Sequence, residues 1–214
     1  MRLKKLPSIL QKTNFTSDGY VIGKHGLLVP AYVASEEGFR NMLGEHALKE
    51  FYKKLNVYSG IFVLCPFQAC AEYLGKRPGD EEPKSMYDEY WDKFNSLVGV
   101  ANYELLMPRS KLLIAILEGA AIDDGVAAEV GYYFQRFRTN PLFPYNPIIG
   151  IRTDLRLSEN SRAPINPAIQ HLIDGESNEG EKSCGKFFCG TQAYDEAIVY
   201  LAQLTARMIN ARGK

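Results

Sequence analysis

The chain has 214 residues, of which 46% are apolar and 23% charged, close to the mix of an ordinary globular protein. At about 150 residues per domain this length favours one domain with a sizeable core. Twenty-five basic residues balance twenty-five acidic ones, so the basic excess of a nucleic-acid binder or a membrane-surface protein is missing.

No apolar run is long enough to span a bilayer. The opening MRLKKLPSILQKTNF carries the charges of a signal peptide without its apolar core, so a cytoplasmic location is expected. Residues 1–26 read as an N-terminal arm and 27–214 as one α/β domain. The first strand run, Leu27 to Ala34, contains Pro30, which predicts that ladder pairing starts near Ala31. Leu43, Ala47, Phe51 and Leu55, spaced by four, predict one stripe of a helix. Ile61 to Cys65 is a second strand, ended by Pro66, and 75–85 is a Pro- and Gly-rich surface loop. A helix from about Met86, broken near Gly99, must end around Pro108.

Lys111 to Leu117 is the clearest buried strand; LEGAAIDDG after it is a loop, and VAAEVGYYFQRF a helix with its Tyr and Phe positions toward the sheet. Residues 138–147 form an irregular link and Pro147 to Ile151 a fourth strand. The acidic, glycine-rich 174–185 reads as a mobile loop, followed by a short strand at 186–188. The last helix starts near Gln192 with Ala197, Leu201, Leu204 and Met208 on one side. Strand runs alternating with helices predict a Rossmann-like (flavodoxin-like) three-layer sandwich with a mainly parallel sheet of about five strands.

Ligands of such sheets sit outside the carboxyl ends of the strands. After the third strand this places Glu118, Asp123 and, in the next helix, Glu129. Six residues turn an α-helix by about 240°, so Asp123 and Glu129 would share a face only if Asp123 lay in the loop. Two carboxylates in different settings can cleave a glycosidic bond, one as nucleophile and one as proton donor. A nucleophile near a helix N-terminus is expected to be held ionised by the dipole. The plainer reading has Asp123 or Asp124 capping the helix and Glu129 on its solvated face. Neither a dinucleotide fingerprint nor a phosphate-binding loop is present, and His25, His46 and His171 form no triad or metal pattern. Cys65/Cys70 and Cys184/Cys189 share one spacing, and no histidine lies beside either pair, so reduced thiols, no metal and no cofactor are expected.

The segment LLIAILEGAAIDDGVAAEVGY (112–132) resembles the signature of the nucleoside 2-deoxyribosyltransferase family, V-x-A-x-L-D-G-x-x-x-D-x-G-T-A-x-E-x-G-Y. It matches at Ala115, Leu117, Gly119, Asp123, Gly125, Ala127, Glu129, Gly131 and Tyr132, with Glu118 for Asp and Val126 for Thr. Ala31 to Ser35, Phe62 to Gln68, the GIRTDLR at 150–156 and Ala163 to Asn166 are similar to further family segments in the same order. The resemblance covers about residues 27–173. It implies transfer of a 2-deoxyribosyl group between nucleobases by a retaining double displacement. Glu129 is then the nucleophile, Asp123 the group assisting the base, and Tyr32 the residue that positions Glu129. Substrate contacts fall to Gly125, Gln68, Asn102 and, from a neighbouring subunit of a homo-oligomer, Asn166. Members carry Asp in the dipeptide before the third strand, where this chain has Ser110-Lys111, and Asp or Asn eight residues earlier; here that register gives Tyr103, with Asn102 adjacent. The partners implied are a deoxynucleoside and a free nucleobase, with no nucleic acid or membrane. Hydrolysis of a deoxynucleoside or deoxynucleotide is the alternative, with Arg152, Arg156, Ser158, Ser161 and Arg162 as phosphate candidates; a non-catalytic nucleotide sensor is a third.

Overall fold

The computed structural model describes residues 6–35, 42–74, 83–119, 122–139, 148–153, 165–174 and 185–213. The short helix α1 (Ser8–Gln11) and strand β1 (Val21–Gly23) precede β2 (Gly26–Ser35), α2 (Met42–Ser59), β3 (Ile61–Leu64) and α3 (Pro66–Leu74). The long α4 (Lys84–Gly99) leads to β4 (Leu112–Ile116), α5 (Asp124–Thr139), β5 (Ile148–Arg152), α6 (Pro167–Asp174), β6 (Lys186–Cys189) and α7 (Ala193–Asn210). The architecture is α/β, built on a mixed sheet whose strands are mostly parallel. Among the described residues no helix is long and apolar enough to cross a membrane.

β2 lies between β3 and β4, then come β5 and β6, all parallel, while β1 pairs antiparallel with the start of β2. Counted among the parallel strands alone, the order is 2-1-3-4-5, one of the two common orders of doubly wound sheets. Every residue of β4 and β5 is buried, as strands covered on both faces require. Successive residues of β2 serve two separate cores. Val29, Ala31 and Val33 pack with Leu48, Phe51 and Leu55 of α2 and with Ala197, Leu201 and Leu204 of α7. Tyr32 and Ala34 pack with Val126, Val130 and Tyr133 of α5 and Ile173 of α6. The period of two along a strand produces this division.

Several expectations need correcting. Pro30 does not delay the ladder: β2 pairs β1 from Gly26 and β3 from Val29, and only its pairing with β4 begins at Ala31. The Pro30 carbonyl accepts from Lys111 N. Its absent donor therefore points to that same side, just before β4 begins, and little pairing is lost. Among the described side chains of α2, which do not include Leu43, the buried stripe is Leu48, Phe51 and Leu55, with Ala47 exposed, because a 3.6-residue period alternates steps of three and four. Gly99 keeps helical angles, and α4 runs unbroken into a π-helical turn, Val100–Leu106, then a 3-10 turn, Met107–Arg109. α3 was not expected. Pro66 ends β3 but also opens this helix, the position where a missing N–H costs nothing.

The stretch read as an arm is tied to the rest. Leu10 and Tyr20 are buried in the two cores, Tyr20 Oη donates to Met208 O at 3.0 Å, and Asp18 accepts from Arg212 Nη2 at 2.7 Å. The 75–82 loop (all but 83–85 of the expected loop), most of the 138–147 link and the 175–184 loop, with Cys184, lie outside the described residues.

Candidate active site

β2 and β4 flank the point where the strand order reverses, so a crevice is expected outside their carboxyl ends. Gly119, with a φ of 101°, turns the chain after β4 through a region that only glycine enters readily. That turn is anchored to the end of β5. Glu118 Oε1 accepts from both the N and the Oγ1 of Thr153 at 2.8 Å, and Arg152 Nη2 donates to Gly119 O at 2.8 Å. Arg152, one of the residues considered for phosphate, is thus buried at the strand end. Arg156, Ser158, Ser161 and Arg162 lie outside the described residues.

Asp123 is the N-cap of α5: its Oδ1 accepts from Val126 N at 3.0 Å and its carbonyl from Ala127 N at 2.9 Å. Gly125 packs on that cap, for a Cβ there would lie 2.9 Å from Asp123 Oδ1. The second turn of α5 then carries Glu129 inward. At 7% exposure it is not on a solvated face. Its Oε1 accepts two hydrogen bonds, from Tyr32 Oη at 2.7 Å and from Asn102 Nδ2 at 2.7 Å. Tyr32 reaches it from the middle of β2 and Asn102 from the π-helical turn. Asn102 is 6% exposed and its Oδ1 has no hydrogen-bond partner among the described residues. A π turn accommodates one more residue than an α turn, and such turns recur at functional sites. Here Asn102, rather than Tyr103 of the family register, meets the carboxylate.

Burial pushes the Glu129 carboxyl up from its ordinary 4.5 to about 7, and the charge of Asp123 pushes the same way against the Tyr32 and Asn102 hydrogen bonds. The expectation of a carboxylate held ionised by the helix dipole is corrected. Glu129 lies beyond the first turn, where the dipole has faded, and desolvation is the larger effect. Tyr32, raised well above 10 chiefly by its own burial and next by Glu129, stays protonated and remains a donor.

The raised carboxyl makes a stability prediction. Between pH 4.5 and about 7 the folded chain holds a proton that the unfolded chain has released, so stability falls as pH rises through that window. The shift corresponds to about 3 kcal/mol. Glu129→Gln keeps an acceptor for Tyr32 and Asn102 and removes the titration. In urea denaturation its stability should gain on the natural chain by about 1–3 kcal/mol between pH 5 and pH 8; a gap that does not widen with pH would mean the carboxylate is not strained by burial.

Two expected contacts, Gln68 and Asn166, are not among the hydrogen-bond partners of this carboxylate. Gln68 is exposed on the first turn of α3. Asn166 is exposed and caps α6, its Oδ1 accepting from Ala168 N at 2.9 Å. Tyr103, named in the sequence only as a register position, follows Asn102 on the π turn and has its hydroxyl pushed up by burial, then by the charge of Glu129. Its ring meets Tyr132 edge to face at 5.1 Å. Tyr132, expected to face the sheet, is 39% exposed; Tyr133 is the tyrosine of that helix that packs into the core. Cys65, Cys70 and Cys189 are free thiols, the first two buried.

No family model matches the sequence, and no curated protein matches it. The structure is similar to that of a conserved protein from Enterococcus faecalis V583, known from its crystal structure, with a TM-score of 0.51 and 16% identity over 83% of this chain and 99% of that one. The likeness concerns the fold alone.

Proposed function

We propose that this protein transfers a 2-deoxyribosyl group between nucleobases, with Glu129 as nucleophile, on a Rossmann-like three-layer sandwich. The observation that carries the reading is the buried Glu129 carboxylate, with Tyr32 and Asn102 both donating to one of its oxygens. Two donors on Oε1 orient the group and leave Oε2 outside this pair, available for attack. Glu129 forms a bond to C1′ as the C1′–N bond breaks, and Asp123 gives the departing base its proton. An incoming base then attacks C1′, returns a proton to Asp123 and frees Glu129. The absence of a 2′-hydroxyl eases positive charge at C1′. The resemblance of residues 112–132 to the deoxyribosyltransferase signature supports the same roles.

With this reading go a homo-oligomer and a cytoplasmic location. The α6 cap uses only Oδ1 of Asn166, which leaves the Nδ2 donor for the site of a neighbouring copy. Three free thiols suit a reducing compartment. The test is incubation with deoxyinosine, with and without free adenine, followed by chromatography. Deoxyadenosine formed only with adenine is the expected result. Hypoxanthine released equally without an acceptor assigns hydrolysis instead. Inertness toward deoxynucleosides and their monophosphates overturns the enzymatic reading in favour of a nucleotide sensor.

A further inference from the structure

Three segments meet at Glu129, and two of them, the π-helical turn and α5, place a further tyrosine close to the residue they contribute. On the π-helical turn Tyr103 follows Asn102, the donor to the carboxylate. On α5 Tyr132 stands three residues after Glu129, so it lies along the same face of the helix. The two rings pack edge to face, with centroids 5.1 Å apart and planes at 81°. Such a pair covers an edge of one ring and leaves other ring surface open. Tyr132 is 39% exposed, and Glu129 beside it only 7%. A large aromatic ring kept at the surface one turn from a buried carboxylate gives little to the core, where Val126, Val130 and Tyr133 of the same helix already pack. The Tyr103 hydroxyl is near enough to Glu129 to be pushed up by its charge, so the pair borders the reacting group.

We infer that Tyr132, braced by Tyr103, is the stacking platform for the planar heteroaromatic leaving group whose glycosyl carbon faces Glu129. This rests on the function proposed above and adds the base-side subsite. Stacking on an aromatic face suits every nucleobase, because each presents a π surface. A subsite of this kind holds the free base as well as the nucleoside, as a transferase needs when donor base leaves and acceptor base enters.

Tyr132→Leu keeps an apolar side chain and removes the π face; Tyr132→Phe restores the face and serves as the rescue variant. In Tyr132→Leu the dissociation constant for free adenine, read by calorimetry, is expected to rise about tenfold. KM for deoxyadenosine should rise with it, whereas Tyr132→Phe should match the natural chain on both readouts. Thermal melting of each variant separates this loss from misfolding. Glu129→Gln should still bind adenine. Adenine binding by Tyr132→Leu as tight as that of the natural chain, with turnover that still depends on Glu129, overturns the subsite and leaves the reaction standing. Failure of the natural chain to bind or turn over any deoxynucleoside overturns the proposed reaction, and the subsite with it.

Discussion

Glu129→Gln should reduce turnover of a deoxynucleoside by about 10⁴-fold or more, the scale on which loss of a nucleophile acts. The amide retains a carbonyl oxygen that can accept from Tyr32 and Asn102, so the hydrogen bonds seen at 2.7 Å survive while the attacking oxygen loses its charge. Glu129→Ala is the blunter variant. It strands two buried donors, each at about 1–3 kcal/mol, and mixes loss of chemistry with loss of stability. The natural protein should also show a kcat/KM that falls as pH rises through about 7. The step needs one proton on the carboxylate pair to give to the base, and burial of Glu129 keeps that proton on the pair up to about this value. Steady-state assays across pH 5 to about pH 9 check both expectations. Turnover by Glu129→Gln at the natural rate removes this residue from the reaction.

Asp123→Asn is the second large effect, and it separates two roles that the same side chain holds. Asparagine caps a helix about as well as aspartate, so the bond from Val126 N and the start of α5 should persist, with little change in melting temperature. If capping were the whole of its role, the variant would work like the natural chain. As proton donor to the leaving base, Asp123 is worth about 10²–10⁴-fold, and the variant should lose that much against deoxyinosine. The deficit should shrink with a nucleoside whose leaving group needs no proton. With no proton to hold at position 123, the residual rate of the variant should rise with pH as Glu129 ionises, opposite in sign to the natural chain. A residual rate that falls with pH as the natural one does would remove Asp123 from the proton transfer.

The strands were largely legible because parallel strands buried on both faces must be continuously apolar, as Leu112–Ile116 and Ile148–Arg152 nearly are. Helices that combine two signals were harder. Pro66 reads as a stop for β3, and its second use as the first residue of α3 has no local mark that distinguishes it. The π turn was hidden for a similar reason. Val100–Leu106 carries no residue that demands an extra one per turn, and what accompanies the turn is the placement of Asn102 against a carboxylate 27 positions later in the chain.

The residue types along 112–132 by themselves determined which two carboxylates to consider and that they follow a buried strand. A nucleophile candidate, a helix and its cap are local matters, settled within a few residues of backbone. The state of Glu129 was decided only by tertiary structure. Its donors come from β2, 97 positions away, and from the π turn, and its raised pKa comes from the water that packing removes. Desolvation and charge act through space, so a helix that looks amphipathic in one dimension can carry its acid either into solvent or into the core.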